Sequence, residues 1–464
     1  MNSIENNAKH QPTPWPSAGV AWYAVAILFV AYTLSFADRY ILSLMIQPIK
    51  EDLLLSDTQV SLLQGFSFAI FYTLMGIPIA RLADRHSRRV IIAAGIVIWS
   101  LMTAACGLAR GFGQIFLARI GVGVGEAALS PAAYSIIADL FAPQKLGRAL
   151  GVYSTGVLVG AGLAFIIGGI VIQAVTSVPE MTLPIVGTVR SWQATFFIIG
   201  LPGALVAALM FTIKEPLRRA GIRTAPDQSG TEEAGLSEVF RFALTGWRAY
   251  GAHFLGFALL SFAFNVMLAW TPAFLFRSFD MPPGQSGPLL GIIILSCGSV
   301  GIIAGGWLAD RLLTRGHRDA ALRVGMIAGI GSAPFAIAAP LMPSATIVLI
   351  LYCPLWFFAN LGYGGAAAAL QQITPNRMRA VISALYLFSI NLIGIGFAPT
   401  AAALLTDYVF GYEEAVRYSI SITAGIASIL AVITLWLGLK PFRTRAELGA
   451  ATSRPEENLD NPQN

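Results

Sequence analysis

Long apolar runs joined by short polar segments dominate the chain. Twelve of them, at about 20–46, 57–80, 90–109, 114–138, 150–174, 192–213, 249–276, 287–309, 322–342, 346–370, 380–405 and 415–438, are close to the roughly 20 residues that a helix needs to cross a bilayer. The spacing predicts an all-α membrane protein with twelve transmembrane helices in two six-helix bundles, 20–213 and 248–440. Residues 1–19 and 441–464 read as polar cytoplasmic tails, and 214–247 as a cytoplasmic linker, the single long polar interruption. The end of the linker, LSEVFRFALTGW, has the pattern of a short amphipathic helix lying on the inner leaflet.

Composition agrees with this pattern. Of 464 residues, 56% are hydrophobic and 12% charged, against roughly 25% charged in soluble proteins. The net charge of +6 does not indicate nucleic acid, because the basic residues sit in short loops and form no continuous patch. Placing the N-terminus inside puts 23 of the 30 Lys and Arg residues on the cytoplasmic side, five outside (Lys50, Arg110, Arg190, Arg277, Arg417) and two, Arg39 and Arg119, within spans. This bias predicts a multi-pass protein of a bacterial inner (plasma) membrane with both termini cytoplasmic.

Cofactor chemistry finds little support. Cys106, Cys297 and Cys353 stand alone in apolar runs, and His10, His86, His253 and His317 lack metal-ligand spacing, so no metal site is expected. No GxxxxGK[ST] sequence offers ATP as a fuel. Gly121, Gly123 and Gly125 fall short of a dinucleotide loop, since Glu126 stands at the place of the last glycine. They suit close helix contact instead.

The informative residues are charges inside apolar runs. Arg119 and Glu126 are seven residues apart on one predicted helix, on one face and roughly 10 Å apart along its axis. Each costs on the order of 2.5–3.5 kcal/mol at a bilayer centre, so the stripe must face protein or water. Asp38 and Arg39 add a second pair in the first helix; about 100° separates adjacent residues, so both cannot face one cavity. The expectation is that Asp38 faces the cavity and Arg119, while Arg39 neutralises first-half charges or reaches the interface. A carboxylate held among such groups is suited to carrying a proton, so Asp38, Glu126 and Arg119 are the candidates for proton coupling.

The two halves also repeat. The sequence ARLADRHSRR at 80–89 is matched by GWLADRLLTR at 306–315, so Asp84 and Asp310 occupy equivalent places. Pro143 and Arg148 are echoed by Pro375 and Arg379. Duplicated bundles with a site between them near the midplane are a transporter arrangement. The Asp84-Arg85 motif with Arg88 and Arg89, together with Arg119-x-x-x-Gly123-x-Gly125, resembles the major facilitator superfamily. FADRY at 36–40 with GVGVGEA at 121–127 and Ser130-Pro131 is similar to its spinster-like branch. Ala80 and Ser87 replace motif glycines, and Ala164-Phe165 replaces the Gly-Pro of the antiporter pattern.

The resemblance implies a non-enzymatic secondary transporter, without cofactor and monomeric, that moves a small amphipathic organic solute, lysolipid-like or an organic anion, by proton-coupled alternating access. A facilitator of a hydrophobic organic acid and a transport-fold sensor remain open alternatives. It further implies gating by Asp84, Arg85, Arg88, Arg89, Arg148, Asp310, Arg311 and Arg379. Substrate contacts are expected from Arg119 and Glu126, and from the polar or aromatic residues of the otherwise apolar second half, Asn265, Trp270, Asn360, Tyr363 and Asn391.

Overall fold

The computed structural model describes residues 15–177, 180–183, 187–218 and 236–452. It contains twelve helices long and apolar enough to span a membrane: α1 Ala18–Leu44, α2 Asp57–Arg85, α3 Arg88–Cys106, α4 Phe112–Leu140, α5 Pro143–Thr176, α6 Ser191–Met210, α7 Trp247–Phe279, α8 Pro283–Thr314, α9 Ala320–Leu341, α10 Ala345–Ile373, α11 Val381–Phe410 and α12 Glu413–Leu448. The last runs past position 440, where the sequence pattern placed the start of a tail. A helix at Leu236–Thr245 precedes α7, as its apolar spacing predicts. The N-terminal tail residues 1–14, and 453–464 of the C-terminal tail, lie outside the described residues.

Local chemistry sets the ends and the breaks. Ser56 caps α2 by accepting from the Gln59 amide (3.1 Å), while the Gln59 side chain accepts from the Ser56 amide (3.0 Å). Helix α4 is interrupted at Ala127–Ala128, directly after Glu126 and shortly before Pro131. Helices α8 and α11 widen into π-turns at Ile294–Gly298 and Ile390–Phe397, and α10 tightens at Gly362–Gly364. Irregular turns of this kind are tolerated in a span only where protein or a cavity, and not lipid, surrounds them.

One element had no signal in the hydrophobic pattern. Between α5 and α6, strands β1 (Glu180–Leu183) and β2 (Gly187–Arg190) pair antiparallel, with Glu180 opposite Arg190. Arg190 forms an ion pair with Asp52, which also accepts from the Trp192 indole at 2.8 Å. The strands mark one face of the molecule, the hairpin side; the segment between α6 and α7 marks the other, the linker side.

The core shows how the bundles meet. One apolar cluster crosses from the first bundle (Ile41, Leu44, Phe165) to the second (Trp270, Phe274, Leu290, Ala402). Two further clusters stay within single bundles, one around Trp99, Ile136 and Tyr153, the other around Tyr250, Leu322 and Leu435. Glycines make the crossing close: a Cβ at Gly291 would stand 2.5 Å from the Gly162 carbonyl oxygen, and one at Gly65 2.5 Å from that of Ile395. The bundles are therefore fused toward the hairpin side and carry separate cores toward the linker side.

Within α4 the glycines differ in what surrounds them. A Cβ at Gly125 would lie 2.7 Å from the Trp99 amide nitrogen and 2.8 Å from the Gly95 carbonyl oxygen, whereas one at Gly113 meets nothing within 4 Å. Overpacking costs about 1–3 kcal/mol, so Gly125→Ala is expected to lower the melting temperature in detergent. Gly113→Ala, which only removes a flexible residue from a helix, is expected to leave it unchanged or raise it slightly.

Candidate functional site

The charges that stood out in the apolar runs converge inside the first bundle. Asp38 and Arg119 are fully enclosed, Glu126 is 1% exposed and Arg39 6%. Arg39 Nη2 donates to Glu126 Oε2 at 2.6 Å, and the same oxygen accepts from Ser35 Oγ at 2.6 Å. The Arg39 guanidinium also lies over the rings of Phe36 (4.3 Å), Phe68 (4.2 Å) and Tyr72 (5.3 Å). Such stacking contributes about 2 kcal/mol when desolvated, which offsets part of the cost of burying the pair.

This changes the expected partnership. Of the two roles expected for Arg39 it takes the first, neutralising a first-half charge as the direct partner of Glu126, and it does not reach the interface. Arg119 makes no bond to the Asp38 carboxylate and instead donates to two carbonyls, Leu63 O (3.3 Å) and Asp38 O (3.4 Å). Neither carboxylate oxygen of Asp38 accepts a hydrogen bond of ordinary geometry, although Glu126, Arg119 and the Trp99 indole face it. Adjacent residues on a helix do diverge, as the 100° turn requires, but both diverge into protein because α2, α3 and α4 surround this part of α1. Asp38 does not open onto a cavity.

A second charged assembly ties the bundles together on the hairpin side. Arg277 at the end of α7 donates from Nη1 to Asp57 Oδ2 and from Nη2 to Asp57 Oδ1, both at 2.7 Å. Lys50 meets Asp57 at 2.7 Å and Glu413 at 2.9 Å, and Gln47 bridges Arg277 (3.0 Å) and Glu413 (3.1 Å). Next to this network the amide and hydroxyl of Thr58 both donate to Asp407 at 2.7 Å, and Ser61 donates to Thr400 at 3.1 Å. Among the described residues every polar bond between the bundles lies on this side. Along the chain Lys50 and Arg277 are simply outer-loop cations, and nothing pairs Arg277 with Asp57, 220 positions away.

The linker side is bare by comparison. Asp84 and Asp310 are exposed and hold no ion pair or hydrogen bond among the described residues, so the motif aspartates do not latch the bundles in this conformation. Arg85 is exposed; Arg148 and Arg311 are exposed too and lie over Trp22 and Trp307 of their own bundles. Arg379 donates to Thr374 O (3.1 Å) and Gln371 O (2.8 Å), closing the end of α10. Arg88 is the exception to exposure: it is buried, pairs with Asp139, and donates to Glu215 Oε1 at 2.9 Å, while Arg89 donates to Ile213 O. Both serve their own bundle, fastening α3 to α4 and to the segment after α6.

In the second half, Trp270 and Asn360 turn into the core, where Trp270 donates to Pro399 O (2.8 Å) and Asn360 to Trp356 O (2.8 Å). Trp270 thereby spends its single N–H on a helix carbonyl, and Asn360 commits one amide N–H in the same way. Asn265 likewise donates to Ser261 O at 2.9 Å. Tyr363, 36% exposed, and Asn391, half-buried, remain accessible. Arg119 and Glu126 are sealed behind Phe68 and Leu63, so no solute touches them in this conformation.

A family model described as Major Facilitator Superfamily matches residues 28–399. The chain belongs to the major facilitator superfamily. It is 27% identical to an MFS-type efflux pump of Mycolicibacterium smegmatis over 91% of this chain and 94% of that one. It is 28% identical to protein spinster homolog 1 of Xenopus tropicalis, over 83% and 73%. The crystal structure of a bacterial homolog to the human lysosomal transporter Spinster, inward-facing and unoccupied, superposes with a TM-score of 0.76 and 26% identity, covering 95% of this chain and all of that one. This facilitator is thus a membrane transporter of the spinster-like branch and not an enzyme.

Two outcomes follow from the facilitator's ion pairs. Arg39→Gln strands a buried carboxylate, and breaking one partner of such a pair costs about 3–5 kcal/mol, so a large fall in melting temperature is expected. Burial opposes ionisation of Glu215, yet hydrogen bonds from Arg88, the Arg89 amide and Ser87 outweigh it and hold the carboxyl below its ordinary value of 4.5. A depressed folded-state value gives stability that is complete above 4.5 and is lost as the pH falls through the depressed value. Thermal unfolding between neutral pH and pH 3, about, should therefore show an acid-side loss that is smaller in Glu215→Gln.

Proposed function

We propose that this facilitator moves a small amphipathic organic solute, lysolipid-like or an organic anion, by alternating access coupled to protons, with Asp38 as the proton carrier. The observation that supports this reading is the contrast between the two buried carboxylates. Glu126 Oε2 is paired with Arg39 and accepts from Ser35, whereas neither Asp38 oxygen accepts a bond of ordinary geometry and the Arg119 guanidinium that it faces bonds elsewhere. With all four charges ionised the cluster is neutral; a proton on Asp38 leaves it one unit positive. Ionised Asp38 draws Arg119 away from Leu63 O, a carbonyl of α2, and protonated Asp38 lets Arg119 return to it. The bond from Arg119 to Leu63 O supports reading this conformation as the protonated arm of that cycle.

Coupling then runs through helices instead of through direct substrate contact. Leu63 and Gly65 belong to the part of α2 that packs against α11, so a change at Arg119 bears on the crossing between bundles. The hairpin-side network around Asp57 closes one entrance, while the motif aspartates Asp84 and Asp310, unlatched here, close the other in the opposite state. The solute lies between the bundles, against accessible Tyr363 and Asn391 and the aromatic wall of Phe36 and Tyr72 in front of the charges. Such a wall suits an apolar body. The bias of 23 basic residues to five supports a cytoplasmic linker side, the arrangement expected of a monomer in a bacterial inner membrane.

Flux into proteoliposomes tests the proposal, using a panel of amphiphilic anions and lysolipids with and without a pH gradient. A gradient should accelerate transport of a panel member in the parent protein, and Asp38→Asn should abolish that acceleration. Full gradient dependence in Asp38→Asn would remove Asp38 from the mechanism. Flux in the parent protein that ignores the gradient would make the chain a uniporter of a hydrophobic organic acid.

A further inference from the structure

A recess of about 1370 Å³ opens at the linker-side end of the second bundle, away from the cleft and from the charge cluster. Its walls come from the end of the Leu236–Thr245 helix, the start of α7, the α8–α9 and α10–α11 connections and the end of α12. Five cations line it, Arg248, Arg318, Arg379, Lys440 and Arg445, with no Asp or Glu among the lining residues. Two neighbouring carboxylates are already engaged, Glu238 with Arg377 at 2.5 Å and Asp319 with both Arg323 and Arg443 at 2.8 Å. Glu447, exposed between the lining residues Ala446 and Leu448 and facing Arg443, is a single acid at the rim, so among the described residues the five cations of the recess remain in excess.

The cations are not equally available. Arg379 is spent on two carbonyls, and Arg445 lies over the rings of Phe242 (4.5 Å) and Tyr250 (5.3 Å). Arg318 gives one nitrogen to Ala446 O and keeps its other donors. Lys440 and Arg248 are exposed and have no ionic partner among the described residues; Arg248 only lies over Trp247 (5.6 Å). Loop cations that merely orient a membrane protein need not converge on one concavity; these do.

Of the exposed apolar residues next to the recess, Trp247 lines it, while Phe240 and Leu244 lie outside it on the adjoining helix. On the Leu236–Thr245 helix Val239 is fully buried against the bundle, yet Phe240 (50% exposed), Leu244 (68%) and, just beyond, Trp247 (61%) share a second stripe that faces outward. A helix with one apolar stripe on protein and another outward, at the level where α7 begins, lies in the bilayer interface. We propose that this recess binds the phosphate headgroup of an anionic phospholipid of the linker-side leaflet, with Arg248, Lys440 and Arg318 on the headgroup and the acyl chains along Phe240, Leu244 and Trp247. Basic pockets between helix ends select such headgroups, each cation near the surface adding to the attraction. A soluble phosphate would satisfy the cations but leaves the apolar stripe without a partner.

The test uses the full chain in detergent micelles, titrated with phosphatidylglycerol or phosphatidylcholine, with retained lipid counted by native mass spectrometry. Phosphatidylglycerol should bind at least about tenfold more tightly than phosphatidylcholine. The double variant Arg248→Gln/Lys440→Gln, both exposed positions, should weaken phosphatidylglycerol by about tenfold and leave phosphatidylcholine unchanged. Lys145→Gln, a cation of the same face in the first bundle, should change neither. Equal retention of the two lipids, an unaffected double variant, an equal loss in Lys145→Gln, or displacement of phosphatidylglycerol by inorganic phosphate would each overturn the assignment.

Discussion

In the hydrocarbon layer a charged group finds no water, and its desolvation is offset only by partners that the protein itself supplies. That constraint explains why Asp38, Arg39, Arg119 and Glu126, from two helices far apart in sequence, are gathered into one volume with Phe36, Phe68 and Tyr72 closing it. Collected, they sum to no net charge; dispersed, each would stand alone in lipid. The same requirement shapes the supporting helices. Glycines bring α3 and α4 close enough to enclose the cluster, and the interruption of α4 follows directly on Glu126.

The two ends of the molecule are built on different principles. Toward the hairpin side, side-chain bonds and a shared apolar core join the bundles. Toward the linker side each bundle closes on itself, Arg88 with Asp139 and Glu215 in the first, Asp319 with Arg323 and Arg443 in the second. Rocking one bundle against the other from this state requires breaking bonds at one end only, while the internal ties of each bundle stay whole.

Much of this was legible in the chain. Span length and hydropathy located all twelve helices, the paired Asp84 and Asp310 loops revealed the duplication, and the cost of charge in lipid singled out the residues that cluster. What could not be read was partnership. Adjacent Asp38 and Arg39 look interchangeable in one dimension, and only the packing of α1 against α2 and α4 decides that Arg39, not Arg119, holds Glu126. Asp57 looks like an ordinary first-turn acid behind a capping serine, until folding brings Arg277 to it. Trp270 looks like a pocket residue because a polar group in an apolar span attracts attention, but it is buried and a helix carbonyl takes its single donor. The strands at 180–190 are too short to leave a periodic trace.

The hairpin-side network also has an unequal exposure to its medium. The Asp57 carboxylate is closed to solvent and the Arg277 side chain is 3% exposed, whereas Glu413 is 43% exposed. Mobile ions screen an exposed carboxylate within a Debye length of roughly 8 Å at physiological salt but hardly reach an enclosed pair. The ionic strength of the compartment on that side therefore acts on only part of the closure: it loosens the Lys50 and Gln47 contacts to Glu413 and leaves the Arg277 fork on Asp57 at full strength. The junction of the bundles on that side is held by one clasp that salt hardly reaches and one that responds to it.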